Sequence, residues 1–282
     1  MTERHALVLG GGGVAGIAWM TGLLAGLAEA GDDISGADTI IGTSAGAAVA
    51  AQLGSGLALN DLYARQAEPD RQAAEIGAEI DLAKIGAEIG AYMTGASTPE
   101  ETLRQVGAYA LDAQTVPEAA RLAVMESRLP SREWPARDIR LVAVEAATGE
   151  MRIFDARSGV PLVDAVAASC AVPGIWPPVT IGGRRYIDGG VRSSDNADLA
   201  AGAERITVIS PLGYNSPLPS SLPLRDVVGR LRAAGSAVTV LVADAASLTA
   251  MGTNPLDPDT RTPTAQAGLA QGRAGLAASA AG

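Results

Sequence analysis

The chain has 282 residues, 48% of them hydrophobic, with one Phe, one Cys and a formal net charge of −10. That is enough apolar material for one large core in a single α/β domain. The acidic balance, with Lys84 the only lysine, excludes broad attraction to nucleic acid or anionic lipid, so any lipid contact has to be local and apolar.

The lone Cys170 excludes an intrachain disulfide and a Cys-based metal site; in its apolar stretch it reads as a buried small hydrophobe. Residues 1–5 lack the basic n-region, apolar h-region and cleavage site of a signal peptide, and no uncharged apolar run reaches the length of a membrane span. The expectation is a cytoplasmic protein.

Residues 5–10 form a short apolar run, read as a buried parallel strand, which enters the glycines 10–13. A helix is predicted over 14–30, with Ile17, Leu24 and Leu27 on repeating turns and Gly31 just past its end. A second strand is predicted over 39–42 and a second helix over 44–54. This β-α-β-α opening implies a parallel sheet with right-handed crossovers. Residues 57–129 have little strand character. Ile76, Ile80, Ile85 and Ile89 space as an apolar helical stripe, and further helices are predicted near 100–111 and 117–128. The region 57–135 reads as a helical insertion or cap.

A strand over 139–146, a turn at Thr148-Gly149-Glu150 and a return over 151–155 predict a hairpin. Residues 161–171 read as a helix with Pro161 in its first turn. Residues 173–178 read as a rigid loop in which Trp176 packs inward rather than forming a membrane-facing lip. A short strand over 184–187 ends at Asp188-Gly189-Gly190, and 206–210 is a further strand. Residues 222–251 read as one or two apolar helices, and the Ala/Gly-rich tail from Thr264 as a weak helix that frays.

Gly42-Thr43-Ser44-Ala45-Gly46 falls between the second strand and the second helix, the setting in which Gly-x-Ser-x-Gly presents an exposed serine nucleophile. Taken alone, the pentapeptide is equally a Gly/Ser turn. A serine nucleophile ordinarily takes histidine as its base. The single histidine, His5, stands at the bottom of the first strand, roughly 15 Å below the sheet top at about 3.3 Å per residue. That excludes a Ser-His-Asp triad, and the same count disfavours zinc. Lys84 lacks the spacing of a serine–lysine motif. The remaining base is a carboxylate, and Asp188 stands out at a strand end before two glycines, although alone it is also a plain Asp-Gly turn.

The glycine run adds an oxyanion hole: successive N–H groups at Gly11, Gly12 and Gly13 converge before a helix whose dipole assists. Gly11-x-Gly13-x-x-Gly16 also fits the dinucleotide fingerprint. That site wants an acidic residue at the end of the second strand, where Gly42-Thr43-Ser44 stands, with Asp32, Asp33 and Asp38 all before it.

In this order and context, Gly11-Gly12-Gly13-Val14-Ala15-Gly16, Gly42-Thr43-Ser44-Ala45-Gly46, residues 168–174 and Tyr186-Ile187-Asp188-Gly189-Gly190-Val191 resemble the patatin-like phospholipases over about residues 5–212. The resemblance implies a three-layer α/β/α fold with a mainly parallel sheet, and residues 213–282 as a C-terminal helical extension on the same domain. It implies a Ser44–Asp188 dyad, an oxyanion hole at Gly11, Gly12 and Gly13, and Gly16, Gly42, Gly46, Gly189 and Gly190 as motif glycines. The implied reaction is hydrolysis of lipid acyl esters without metal or cofactor, by a protein that makes at most peripheral contact with a membrane. Two alternatives stay open: an acyltransferase using the same dyad, and an inactive lipid-binding protein. One departure is Ala15, where the family usually carries Arg or Lys; this leaves phospholipids, lysophospholipids and neutral esters as substrates.

Overall fold

Short runs of Val, Ile and Leu build one eight-stranded sheet in a computed structural model that describes residues 4–77, 82–92, 95–96, 98–214 and 222–279. The strands are β1 (His5–Leu9), β2 (Thr39–Thr43), β3 (Asp138–Glu145), β4 (Met151–Phe154), β5 (Val179–Ile181), β6 (Arg184–Asp188), β7 (Arg205–Ser210) and β8 (Ala237–Val242). Their order is β5-β6-β3-β2-β1-β7-β8, with β4 also paired to β3. The stretch from β3 through β2, β1 and β7 to β8 is parallel, while β4, β5 and β6 pair antiparallel.

The helices are α1 (Gly13–Glu29), α2 (Ala45–Leu53), α3 (Leu59–Ala67), α4 (Leu82–Tyr92), α5 (Pro99–Asp112), α6 (Glu118–Arg128), α7 (Leu162–Ser169), α8 (Leu224–Ala233), α9 (Ala245–Met251), α10 (Arg261–Arg273) and α11 (Leu276–Ser279). Period-two alternation sends Leu7, Leu9, Ile40, Leu141 and Ile209 to one face, against α1, α2 and α7. Ala6, Val8, Ile41, Val142 and Val208 face the other way, against Val227, Val228 and Leu231 of α8. With both faces covered, the central strands carry apolar residues at nearly every position, as a parallel sheet requires. Among the described residues no helix is long and apolar enough to cross a membrane.

Three expectations need correction. Residues 222–251 are not all helical: between α8 and α9 the β-branched run Val238-Thr239-Val240 forms the centre of β8, the edge strand beside β7. The region after residue 212 is therefore no purely helical extension. The tail also does not fray over its main length. Gly268 and Gly272 of α10 interleave with Gly22 and Gly26 of α1 so closely that a Cβ on any of the four would lie 2.2–2.4 Å from a carbonyl oxygen of the opposite helix. Trp19 Nε1 donates to Gln271 Oε1 (2.9 Å), and Gln271 Nε2 donates to Val242 O (2.7 Å), fastening the helix pair to β8.

Third, the isoleucine stripe is not one helix. Ile76 lies in irregular chain against the main core, while Ile89 sits on α4 against a separate cluster with Val106, Ala110 and Ile187. Ile80 lies outside the described residues. The short β5 was not anticipated; Gly182 and Gly183, both at positive φ, turn it back into β6.

Candidate active site

Ser44 sits at the turn from β2 into α2 with φ 55° and ψ −116°, a backbone conformation that a side-chain-bearing residue rarely adopts. Its flanking glycines explain how the turn closes. A Cβ on Gly42 would lie 2.6 Å from Gly46 O, and one on Gly46 would lie 1.9 Å from Leu9 O of β1. Only hydrogen at both positions lets strand and helix approach this closely.

The strained turn is gripped from the end of α7. The Ser44 N–H donates to Ser169 Oγ (3.0 Å), and the Ser169 hydroxyl in turn donates to Val142 O on β3 (2.6 Å). Cys170 Sγ donates to Ser44 O (3.1 Å). The Cys170 thiol is buried and its pKa is pushed up to about 12 by burial, so it is a structural donor and not a thiolate.

β6 is antiparallel to β3, and it ends at Asp188 beside Ala143. The one-turn 3-10 helix Gly189–Val191 follows, and the Gly190 N–H donates to Asp188 Oδ1 (2.7 Å). A Cβ on Gly189 would lie 2.4 Å from Val142 O, which makes glycine mandatory there. Asp188 is 4% exposed, and its Oδ2 has no hydrogen-bond partner. Burial raises its pKa to about 7, while the adjacent Ser44 hydroxyl and the Gly190 amide pull it partly back. The Ser44 hydroxyl is near enough to act on the carboxyl, yet Oδ2 has no hydrogen-bond partner. An alcohol and a buried carboxyl have thus been brought together from segments 144 positions apart in sequence.

The glycine loop lies against the same serine: a Cβ on Gly11 would sit 3.6 Å from Ser44 Cβ. Its amides are not equivalent. The Gly11 N–H donates to Ser194 O (2.8 Å), so it is engaged and cannot serve an oxyanion as expected from sequence. The N–H groups of Gly12 and Gly13 have no protein partner among the described residues, while Ala15 N–H is capped by Pro255 O (2.9 Å). Two free donors thus stand at the positive end of the seventeen-residue helix α1. Gly16 follows one turn on, its N–H bonded to Gly12 O. Ala15 is fully buried, so this position presents no cation.

The other sequence candidates fall elsewhere. His5 begins β1, at the strand end away from Ser44, where Nε2 meets Thr207 Oγ1 at 3.0 Å and burial lowers its pKa to about 4. The Lys84 side chain lies outside the described residues. Trp176 is packed inward, 3% exposed, with the Arg121 guanidinium 3.8 Å above its ring. Among the described residues no three His, Cys, Asp or Glu side chains group as a metal site requires.

Sequence reasoning assigned no role to the turn that follows Asp188. Ser194 O holds Gly11; Asp195, 2% exposed, has its pKa raised to about 7 by burial; and Asn196 sits at φ 50° with no exposed surface. An Asn within the polar run Arg192-Ser193-Ser194-Asp195-Asn196 reads as an ordinary turn residue, and its partner Thr43 is distant in sequence.

A family model described as patatin-like phospholipase matches residues 7–201. Among solved structures, VipD from Legionella pneumophila is similar at 13% identity and TM-score 0.49, over 99% of this chain and 67% of that one. The type III effector protein ExoU is similar at 15% identity and TM-score 0.39, over 96% of this chain and 53% of that one. The chain therefore spans about two thirds of the first and about half of the second. No curated protein sequence matches it.

Proposed function

The chain belongs to the patatin-like phospholipase family, whose members are lipid hydrolases, and from that premise we propose that it cleaves carboxylic esters of phospholipids or related lipids, with Ser44 as nucleophile and Asp188 as general base. The observation that carries this reading is the Ser44 hydroxyl beside a buried carboxyl whose Oδ2 has no hydrogen-bond partner. An Asp at its ordinary pKa of about 3.9 is a weak base at neutral pH; burial gives Asp188 the basicity the task needs.

In this scheme Asp188 Oδ2 takes the Ser44 proton as Oγ bonds to the ester carbonyl carbon. The carbonyl electron pair moves to oxygen, where the amides of Gly12 and Gly13 and the end of α1 hold the charge. The tetrahedral centre then expels the alcohol, which receives its proton from Asp188. Water repeats the sequence on the acyl-serine and releases the fatty acid. The strained backbone of Ser44 supports a functional role for this turn, since strain of this kind concentrates at functional sites. We place the chemistry in residues 5–212, with the helices of 57–135 as an insertion.

The test is a panel of acyl esters, with and without phosphate, assayed on wild type, Ser44→Ala and Asp188→Asn. Both variants should lose turnover by about a thousandfold or more while keeping the fold. Near-normal rates in either would refute the dyad. Adding glycerol or lysolipid and looking for transfer product separates hydrolysis from acyl transfer.

A further inference from the structure

We propose that Asn196 is a positioning residue for this reaction: its carboxamide ties the strand that delivers Ser44 to the turn that carries Asp188. The proposal rests on the Ser44–Asp188 reading above and adds the part that keeps the two groups in register.

The carboxamide is saturated on both ends. The two hydrogens of Asn196 Nδ2 are shared among Thr43 Oγ1 (3.0 Å), Gly189 O (3.2 Å) and Ser193 O (2.8 Å). Thr43 immediately precedes the nucleophile, and Gly189 immediately follows the acid. Oδ1 accepts from Arg192 Nη1 (2.7 Å), and since a guanidinium only donates, this fixes which end of the amide faces which way. Arg192 is itself held by Asp198 (Nη2 to Oδ2, 2.7 Å). The Asn196 N–H bonds back to Ser193 Oγ (3.2 Å).

The backbone is bent to allow this. Asn196 is one of two non-glycine residues at positive φ among the described residues, and the other is Ser44. Asn tolerates this left-handed conformation better than most residues, but the turn alone needs no buried carboxamide. Here a side chain is retained, fully buried, and every polar atom on it is used. The same turn reaches the third part of the site through Ser194 O, which accepts the Gly11 N–H. Two residues of one turn, Ser194 and Asn196, thus touch the nucleophile strand, the acid turn and the glycine loop.

Buried polar groups of this kind act through geometry, and a displacement of about 1 Å at reacting atoms costs up to roughly a hundredfold in rate. Asn196→Gly removes the carboxamide and accepts φ 50° without strain, so it tests the side chain and not the turn. Thr43→Val removes one acceptor at nearly constant volume. The expected result for Asn196→Gly is a fall in kcat of roughly ten- to hundredfold with KM within about threefold, at full Ser44→Ala sensitivity. Thr43→Val should fall less, and the double variant no further than Asn196→Gly, because the one bond that Thr43→Val removes is already lost in Asn196→Gly. The ascending limb of the pH–rate profile should move to lower pH, as a loosened turn admits water to Asp188.

Wild-type kcat in Asn196→Gly would overturn the proposal. So would a fall that adds fully to that of Thr43→Val and leaves the pH limb in place, which is what general loss of stability produces. If Asn196→Gly does not fold, Thr43→Val carries the same kcat and pH readouts, and an unmoved limb there overturns the proposal. Turnover that survives Ser44→Ala would instead refute the reading of the dyad, and is scored separately on the ester panel.

Discussion

The amide of Gly190 holds Asp188 Oδ1 at 2.7 Å, which leaves Oδ2 buried and unpaired beside the Ser44 hydroxyl. One oxygen is fixed by the backbone, and the other is the one proposed to take the Ser44 proton. This division of labour within a single carboxyl turns the raised pKa into a measurable pH dependence.

If the ionised form of Asp188 is the base, kcat/KM rises with pH and reaches half its limit near pH 7. An ordinary carboxylate would put that limb near pH 4. A pH–rate profile on a soluble ester, whose ionisation does not change over the range, checks this.

Stability should run in the opposite direction. Asp188 and Asp195 both carry folded-state pKa values near 7, above the unfolded value of 3.8. The folded protein therefore holds these protons more tightly than the unfolded chain. The stability so gained is fully present below about pH 4 and is lost as pH climbs towards 7. Asp195→Asn removes one of the two groups without touching Ser44 or Asp188; it should flatten the dependence and raise Tm at pH 8. Thermal melts from pH 5 to 8 on both proteins measure the difference.

Glycine substitutions should separate crowding from misfolding. At Gly11 an added methyl meets Ser44 Cβ at 3.6 Å and Ser194 O at 3.5 Å, both ordinary contacts. At Gly46 it would lie 1.9 Å from Leu9 O. Gly11→Ala is therefore expected to fold and to lose activity by crowding the nucleophile, while Gly46→Ala is expected not to fold. Soluble yield, Tm and ester turnover distinguish the two.

Glu75 is bonded to three buried guanidiniums. Arg128 chelates it through Nε (3.1 Å) and Nη2, Arg261 Nη2 reaches it at 3.1 Å, and Arg121 Nη1 at 3.4 Å. All four side chains are at most 6% exposed. Glu75→Gln would leave three cations with no counter-charge, and loss of one partner from a buried pair typically costs about 3–5 kcal/mol. A urea midpoint well below wild type is the expected outcome; an unchanged midpoint would show that the cluster is solvated.

Much of the site is readable before folding because its parts are local. Gly-x-Ser-x-Gly needs its two glycines within two positions of the serine, and Asp188 needs its glycines next door. The absence of a usable histidine follows from counting and strand length. What the sequence hides is long-range. Ser169 grips Ser44 from 125 positions away and Asn196 meets Thr43 from 153, and neither leaves a periodic trace. The engagement of Gly11 by Ser194 is likewise invisible, so three equivalent donors were expected where the structure leaves two. β8 was hidden because a six-residue apolar run between helices does not declare its period. α10 was hidden because Gly268 and Gly272 weaken a helix in isolation and favour it only against a partner with matching gaps.

The interleaved glycines of α1 and α10 carry a consequence for biosynthesis. The helix that presents Gly12 and Gly13 is synthesised well before the surface it leans on, which comes some 240 residues later. At about 5–20 residues per second, the nascent polypeptide spends on the order of ten seconds or more with that surface exposed. The glycine loop that begins α1 therefore gains its full support only once α10 has been made and docked.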